Sequence, residues 1–237
     1  MSCTSGPKII KDSSLVLNLD AANPKSYSGT GTSWIDLSRR TGTSTMSNVI
    51  YSSSNNGIFS YNGTSSTTSN SSVISGATQF TIMVWFKTNV VANYNNILDF
   101  NYQFYGNSNV GPRLEMAADT SLAWVFSGNT GNGGVYTGYR VFNTGLLANV
   151  WYNVAITRTS TPIVSTYLNG IYRLDSRVDA GNNADAFVGS FNKITTGVGW
   201  ASRFHNGFIS NILAYNRALS AVEVYNNYIA TKGRFGL

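Results

Sequence analysis

Two glutamates, one histidine and one cysteine are the scarce chemical groups of this 237-residue chain. Cleaving a glycosidic bond takes two carboxyls across the scissile bond, one as acid and one as base or nucleophile. Glu115 is followed by Met116-Ala117-Ala118-Asp119, so no second carboxyl stands two residues on, at the next position of the same strand face. Glu223 closes Ser220-Ala221-Val222-Glu223, the pattern of a helix capping box, and is committed there. His205, in Phe204-His205-Asn206-Gly207, would have to serve any Ser/His/Asp hydrolase, but the chain has no Gly-x-Ser-x-Gly elbow. A loop histidine in an ordinary hydrogen bond is the simpler reading. The glycine-rich run Ser127 to Gly134 is followed by no Lys-Ser/Thr and opens no helix, so phosphate-binding fingerprints are missing. Cys3 alone allows neither an internal disulfide nor a cysteine-rich metal site. A non-enzymatic chain without a cofactor is the expectation.

Sugar binding asks for less: aromatic faces against C–H surfaces, with neutral amides and hydroxyls around them. Tyr102, Tyr105, Trp124, Tyr136, Tyr139 and Trp200 lie near turns. Trp124 fits a core position better, as do Trp34, Trp85 and Trp151, which stand in strongly patterned segments. That leaves Tyr102, Tyr105, Tyr136, Tyr139 and Trp200 as candidate glycan contacts. Tyr136 and Trp200, beside glycine-rich loops, lead them.

The elements that would position these residues are strands. Val150 to Ser176 reads as three in succession. Tyr152, Val154 and Ile156 alternate with Asn153, Ala155 and Thr157, the period of a half-buried strand. Asn169-Gly170 is a two-residue hairpin signal, which pairs Leu168 with Ile171 and Tyr167 with Tyr172. Phe80 to Lys87 is apolar on both faces and belongs in the middle of a covered sheet. Further strands are expected at Leu15–Leu19, Val49–Tyr51, Ile58–Tyr61, Ile97–Phe104, Arg113–Met116, Leu122–Phe126, Ala186–Phe191 and Gly207–Tyr215. Residues 64–79 read as a strand with wide loops. After the capping box, Val222, Tyr225 and Ile229 recur at helical spacing, and Gly233 can end the helix. Roughly a dozen strands and one helix make an all-β, two-sheet antiparallel jelly-roll sandwich with one short C-terminal helix.

Composition agrees. Only 11% of residues are charged and 42% are hydrophobic, the rest being dominated by Ser, Thr, Asn and Gly. The net charge is +6, but the basic residues are scattered and only Arg39-Arg40 are adjacent, so a nucleic-acid partner is not expected. A basic surface still favours acidic polysaccharides or a negatively charged assembly. Ile9-Ile10 is followed at once by Lys11-Asp12, so there is no signal-peptide core, and no stretch approaches a membrane span. The expectations are synthesis in the cytoplasm and no membrane insertion. Residues 1–13 read as an N-terminal arm and 14–237 as the domain. Within the arm, Lys8, Ile9, Ile10 and Lys11 could pair at an edge or order on a partner.

Three segments resemble laminin-G-like, concanavalin A-like jelly-roll domains: FTIMVWFKT (80–88), WYNVAITR with STYLNGI (151–158 and 165–171), and FHNGFISNILAYNRALSAVEVYNNY (204–228). The resemblance implies that fold over about residues 14–230. In the related glucanases the acids stand on one strand as E-x-D-x-x-E, which this chain lacks. Many such domains hold calcium at the sandwich rim. Asp99, Asp119, Asp175, Asp179 and Asp185 are the carboxylates available, but none forms a D-x-D-x-D run. Leu15–Ser38 and Ala230–Leu237 resemble the opening and ending of laminin-G-like proteins encoded by tailed bacteriophages. That resemblance implies a virion surface protein, first a capsid decoration or structural protein contacting other virion proteins, oligomeric on the particle. A carbohydrate-binding adhesin on host-surface glycans is the alternative, and a glycoside hydrolase the third reading.

Overall fold

Strand β7 (Phe80–Thr88) runs through the centre of one sheet, with six of its first seven side chains apolar. The computed structural model describes residues 7–74, 78–92, 95–100, 110–116, 121–128, 135–142, 145–161, 163–173, 177–178, 191–199 and 203–237. The strands before β7 are β1 (Leu15–Asp20), β2 (Ser33–Trp34), β3 (Ser44–Ser47), β4 (Ile50–Ser52), β5 (Ile58–Asn62) and β6 (Thr67–Ile74). After it come β8 (Asn96–Phe100), β9 (Val110–Met116), β10 (Leu122–Gly128), β11 (Val135–Phe142), β12 (Trp151–Arg158), β13 (Val164–Leu168) and β14 (Ile171–Tyr172). The last are β15 (Arg177–Val178), β16 (Phe191–Thr196), β17 (Val198–Gly199), β18 (Arg203–Phe204) and β19 (Asn206–Tyr215), followed by helix α1 (Ala221–Lys232). The excess over a dozen comes from strands of two or three residues.

All pairings between these strands are antiparallel. One sheet runs β14-β13-β12-β7-β19-β5-β4, with β1 also on β19. The other runs β15-β11-β10-β9-β8-β16-β6-β3-β2, and β17 pairs with β18 apart from both. The inner faces share one core. Ile82, Val84, Phe86, Val154 and Ile156 from the first sheet meet Trp34, Leu98, Phe100, Leu114 and Trp124 from the second. This is the expected two-sheet sandwich, with Trp34 and Trp124 fully enclosed. Among the described residues, no helix is long and apolar enough to cross a membrane.

The hairpin after β13 forms as its sequence dictates. Asn169 and Gly170 take φ of 49° and 76°, and Leu168 faces Ile171 as Tyr167 faces Tyr172. The outer face of β7 is covered by the C-terminus. Trp85 stacks on Phe235 at 4.2 Å, and its indole N–H donates to Thr231 Oγ1 at 2.8 Å. Burying a large apolar ring while satisfying its one donor makes this a strong anchor.

The helix differs from the sequence reading, and β19 adds an irregularity. The capping box of α1 is present, but its buried residues are Val224, Asn227, Tyr228 and Thr231, while Val222 and Tyr225 are exposed. The side chains of Asn227 and Thr231 find partners in the sheet layer, so polar residues take positions that an apolar-spacing rule passes over. Gly233 keeps right-handed φ and starts a further 3-10 turn; the left-handed stop is Gly236, at φ 73°. In β19 a bulge between Ile209 and Asn211 breaks strict alternation, so that Ile209, Ile212 and Ala214 all reach the inner core.

Candidate functional site

The aromatic residues singled out from sequence separate. Tyr102, Tyr105 and Trp200 lie outside the described residues. Tyr136 and Tyr139 are carried by β11, a strand paired with β10 and β15, rather than by turns. Sequence reading missed this strand because Gly138, two tyrosines and the glycine-rich run before it mimic loop composition. In the arm, Ile9 and Ile10 pack against the cluster of Leu15, Met83, Tyr215 and Val224, while Lys8 and Lys11 are exposed.

The structure brings a different set together at one end of the sandwich. A cleft of about 300 Å³ is lined by Gly63, Val90, Ala92, Asn95, Arg203, Phe204 and Asn206. Three connections meet here: the end of β5, the loop from β7 to β8, and the short step from β18 to β19. Gly63 has φ of 76°, and a Cβ there would stand 2.9 Å from Asn206 Cβ, so only glycine lets these two connections close up. The floor is a tight polar network. Asn95 Nδ2 donates to Thr88 Oγ1 at 3.1 Å and to the Val90 carbonyl at 3.3 Å. With both donors spent, Asn95 Oδ1 accepts from His205 Nδ1 at 2.7 Å, which fixes the ring tautomer. His205 is completely buried, and burial lowers its pKa to about 4 although the backbone at Phe208 and Lys87 pulls the other way. Its ring is neutral at pH 7 and is held by the Asn95 side chain. At the mouth, Asn206 Oδ1 accepts from Asn89 Nδ2 at 2.9 Å, which turns the Asn206 amide hydrogens away from Asn89. The signal for this site was present in Arg203-Phe204-His205-Asn206-Gly207, but the sequence reading attended to His205 alone.

Arg203 links the cleft to the outer face of the larger sheet. Its Nη1 meets Glu115 Oε2 at 3.2 Å, and Arg113 Nε meets the same oxygen at 3.0 Å. Asp99 lies beside them in the ladder, between Thr195 and Arg113. Burial pushes its carboxyl up to about 7, against the pull of Arg113 and with a push from Glu115. Two carboxyls thus stand on adjacent strands here, Asp99 with its raised pKa and Glu115 paired with two guanidiniums. They come from adjacent strands, β8 and β9, which is why a search along one strand did not pair them. Asp99 does not fit a calcium ligand, since it faces Arg113 and favours its proton. Asp119, Asp175, Asp179 and Asp185 lie outside the described residues. Among the described residues, no three His, Cys, Asp or Glu side chains converge as a metal-binding group.

Solved structures share the fold that carries these residues. Domain 4 of an extracellular arabinanase from Geobacillus stearothermophilus, in complex with arabinotriose, is similar with a TM-score of 0.67 and 16% identity. The match covers 90% of this chain and 98% of that domain. Trypanosoma rangeli sialidase is similar with a TM-score of 0.65 and 14% identity, over 94% of this chain and 34% of that one. The receptor-binding domain of botulinum neurotoxin type G is similar with a TM-score of 0.61 and 20% identity, over 91% of this chain and 51% of that one. The chain therefore spans the whole of the arabinanase domain, about half of the toxin domain and about a third of the sialidase. No curated protein matches the sequence. These neighbours overturn the expectation of a non-enzymatic chain. Glycoside hydrolases stand among them, and the fold is common to enzymes and non-enzymes alike. The missing E-x-D-x-x-E run carried that expectation, and it tests only one arrangement of acids. Residues 60–225 match the family described as the concanavalin A-like lectin/glucanases superfamily. The chain belongs to that superfamily.

Proposed function

We propose that this chain is a glycan-binding module, and that the rim cleft holds the sugar. The observation that carries the reading is the cleft itself: about 300 Å³, floored by Asn95 and walled by the Asn206 amide, the Arg203 guanidinium and the half-buried Phe204. An amide held in fixed orientation by Asn89 gives a directional partner for a sugar hydroxyl, and an aromatic ring gives a surface for C–H faces. The arabinanase domain, matched over nearly its full length, is in complex with arabinotriose, which supports a short oligosaccharide as ligand. The test is titration calorimetry with arabinotriose and a panel of other oligosaccharides, on the native chain, Phe204→Ala and Asn206→Asp. Asn206→Asp keeps the acceptor for Asn89 and removes the amide donors. Each variant is expected to weaken binding about tenfold, the cost of one lost charge-free contact or ring, with unfolding temperature unchanged. Native affinity in both variants would remove the cleft from the reading.

A second reading sets the module on a phage particle as a virion surface protein. Its support is that the two phage-like segments meet: Arg234 from the closing segment clamps Asp20 from the opening one at 2.6 and 2.8 Å. Co-sedimentation tests it. Pelleting with undecorated capsids is expected for a decoration role, and pelleting with host cells for an adhesin. Pelleting with neither would set this reading aside.

A further inference from the structure

A second recessed site lies on the opposite, helix-covered side of the first sheet, built from residues that the rim cleft does not use. Two adjoining clefts of about 220 and 210 Å³ share a wall made by Lys11, Asn18 and Leu37. Both are framed by fixed backbone. On one side the arm is pinned where Asn227 Oδ1 accepts from Ile10 N at 2.7 Å and Tyr215 Oη donates to the Ile10 carbonyl at 2.9 Å. On the other side Asp36, nearly buried, gathers the loop that carries Arg40. Its carboxylate accepts from the backbone N–H of Asn18, Ser38 and Thr41 at 2.7 to 3.0 Å. Asp36 lines neither cleft, and its acceptor positions are spent within its own loop.

The floor carries polar groups with bonding capacity to spare. Asn18 and Asn211 are each 3% exposed, and both line the clefts. They stand on the same outer face, because Asn18 pairs with Leu213 while Asp20 pairs with Asn211. Neither side-chain amide has a hydrogen-bond partner among the described residues. Their polar atoms open onto the clefts, where water or a ligand can bond them. The charges are unbalanced in one direction. The two carboxylates at the clefts are answered from outside or within: Asp12 by Arg217 at 2.7 Å, and Asp20 by Arg234. Lys8, Lys11 and Arg40 are exposed and have no ion pair among the described residues. Three cations thus surround two buried neutral amides.

We propose that these paired clefts bind an acidic saccharide, one whose units carry carboxylate or sulfate groups. Lys11 and Arg40 meet the anionic group of one unit, Lys8 that of the next, and the Asn18 and Asn211 amides meet hydroxyls. No aromatic side chain lines either cleft, so stacked bases have no platform and a nucleic-acid strand is disfavoured. The proposal is independent of the rim cleft, which shares none of these residues.

Biolayer interferometry on the full chain tests it, with immobilised polygalacturonate, dextran sulfate, neutral dextran and oligothymidylate at low and at raised salt. Binding to either acidic polysaccharide, falling with salt, and none to neutral dextran is expected; which of the two binds identifies carboxylate or sulfate. Lys11→Ala with Arg40→Ala is expected to lower affinity at least tenfold without moving the unfolding temperature. Asn18→Leu is expected to weaken binding while leaving the net charge unchanged. The pair Lys25→Ala with Lys232→Ala removes the same charge at positions that line neither cleft and is expected to bind as the native chain does. Equal loss in both charge pairs would reduce the effect to overall charge and overturn the site. So would native affinity in the Lys11/Arg40 variant, absence of binding to both acidic polymers, or equal capture by oligothymidylate.

Discussion

Asp99 and His205 are both sealed in the interior, and burial drives their titrations in opposite senses. Asp99 in the folded chain keeps its proton up to about pH 7, whereas an unfolded aspartate releases it near 3.8. The folded state then binds more protons than the unfolded one across that window. Stability from this group is fully present below pH 4 and is lost as the pH rises to 7. His205 takes up a proton only near pH 4, against 6.5 when unfolded, so its contribution is present above pH 6.5 and is lost as the pH falls to 4. Replacing Asp99 by Asn keeps the shape and removes the first effect. At pH 8 the variant is expected to be more stable than the native chain by up to about 4 kcal/mol, since each tenfold difference in proton affinity between the folded and unfolded states is worth about 1.4 kcal/mol. At pH 4 the two are expected to be equal. Denaturant titrations at both values measure this. Destabilisation of equal size at both would mean that Asp99 is charged in the fold and serves to hold Arg113.

At the scale of elements, legibility follows from how local the cause is. The β13–β14 hairpin is specified by two residues that accept positive φ, and its register was readable to the residue. The centrality of β7 was readable because a strand apolar on both faces has only one place to go. The capping box of α1 was readable for the same reason of locality. What was not readable depends on the partner surface. The helix buries Asn227 and Thr231 because Tyr215 and Trp85 offer them hydrogen bonds, and nothing within the helix announces those partners. The bulge in β19 arises from its contact with β7, not from its own alternation. The rim cleft was invisible on similar grounds. Asn95 and Asn206 look ordinary in a chain rich in asparagine until three separate connections bring them to one opening. The two acids near Arg113 needed the β8–β9 register before they became a pair.

The whole molecule has three layers, not two: the larger sheet, the smaller sheet, and a cover made by α1, the C-terminal turn and the N-terminal arm. The two sheets share a core complete in itself, and the cover buries a second apolar surface on the far side of β7 and β19. This arrangement predicts what removing residues 1–11 does. The truncation exposes the cluster under Ile9 and Ile10 and strips Asn227 and Tyr215 of their bonds to the arm. Two partly buried isoleucines and two hydrogen bonds correspond to about 2–4 kcal/mol. For a chain of this length that lowers the unfolding temperature by roughly 5–15 °C. The sandwich core is untouched, so the truncated chain is expected to unfold in one cooperative transition. Oligosaccharide binding at the rim should survive, because none of its residues touches the arm, while acidic-saccharide binding should be lost with Lys8 and Lys11. Calorimetric unfolding together with the two binding assays separates these effects. An unchanged unfolding temperature would show that the arm lies free of the sandwich, and simultaneous loss of both ligands would show that the two clefts form one site.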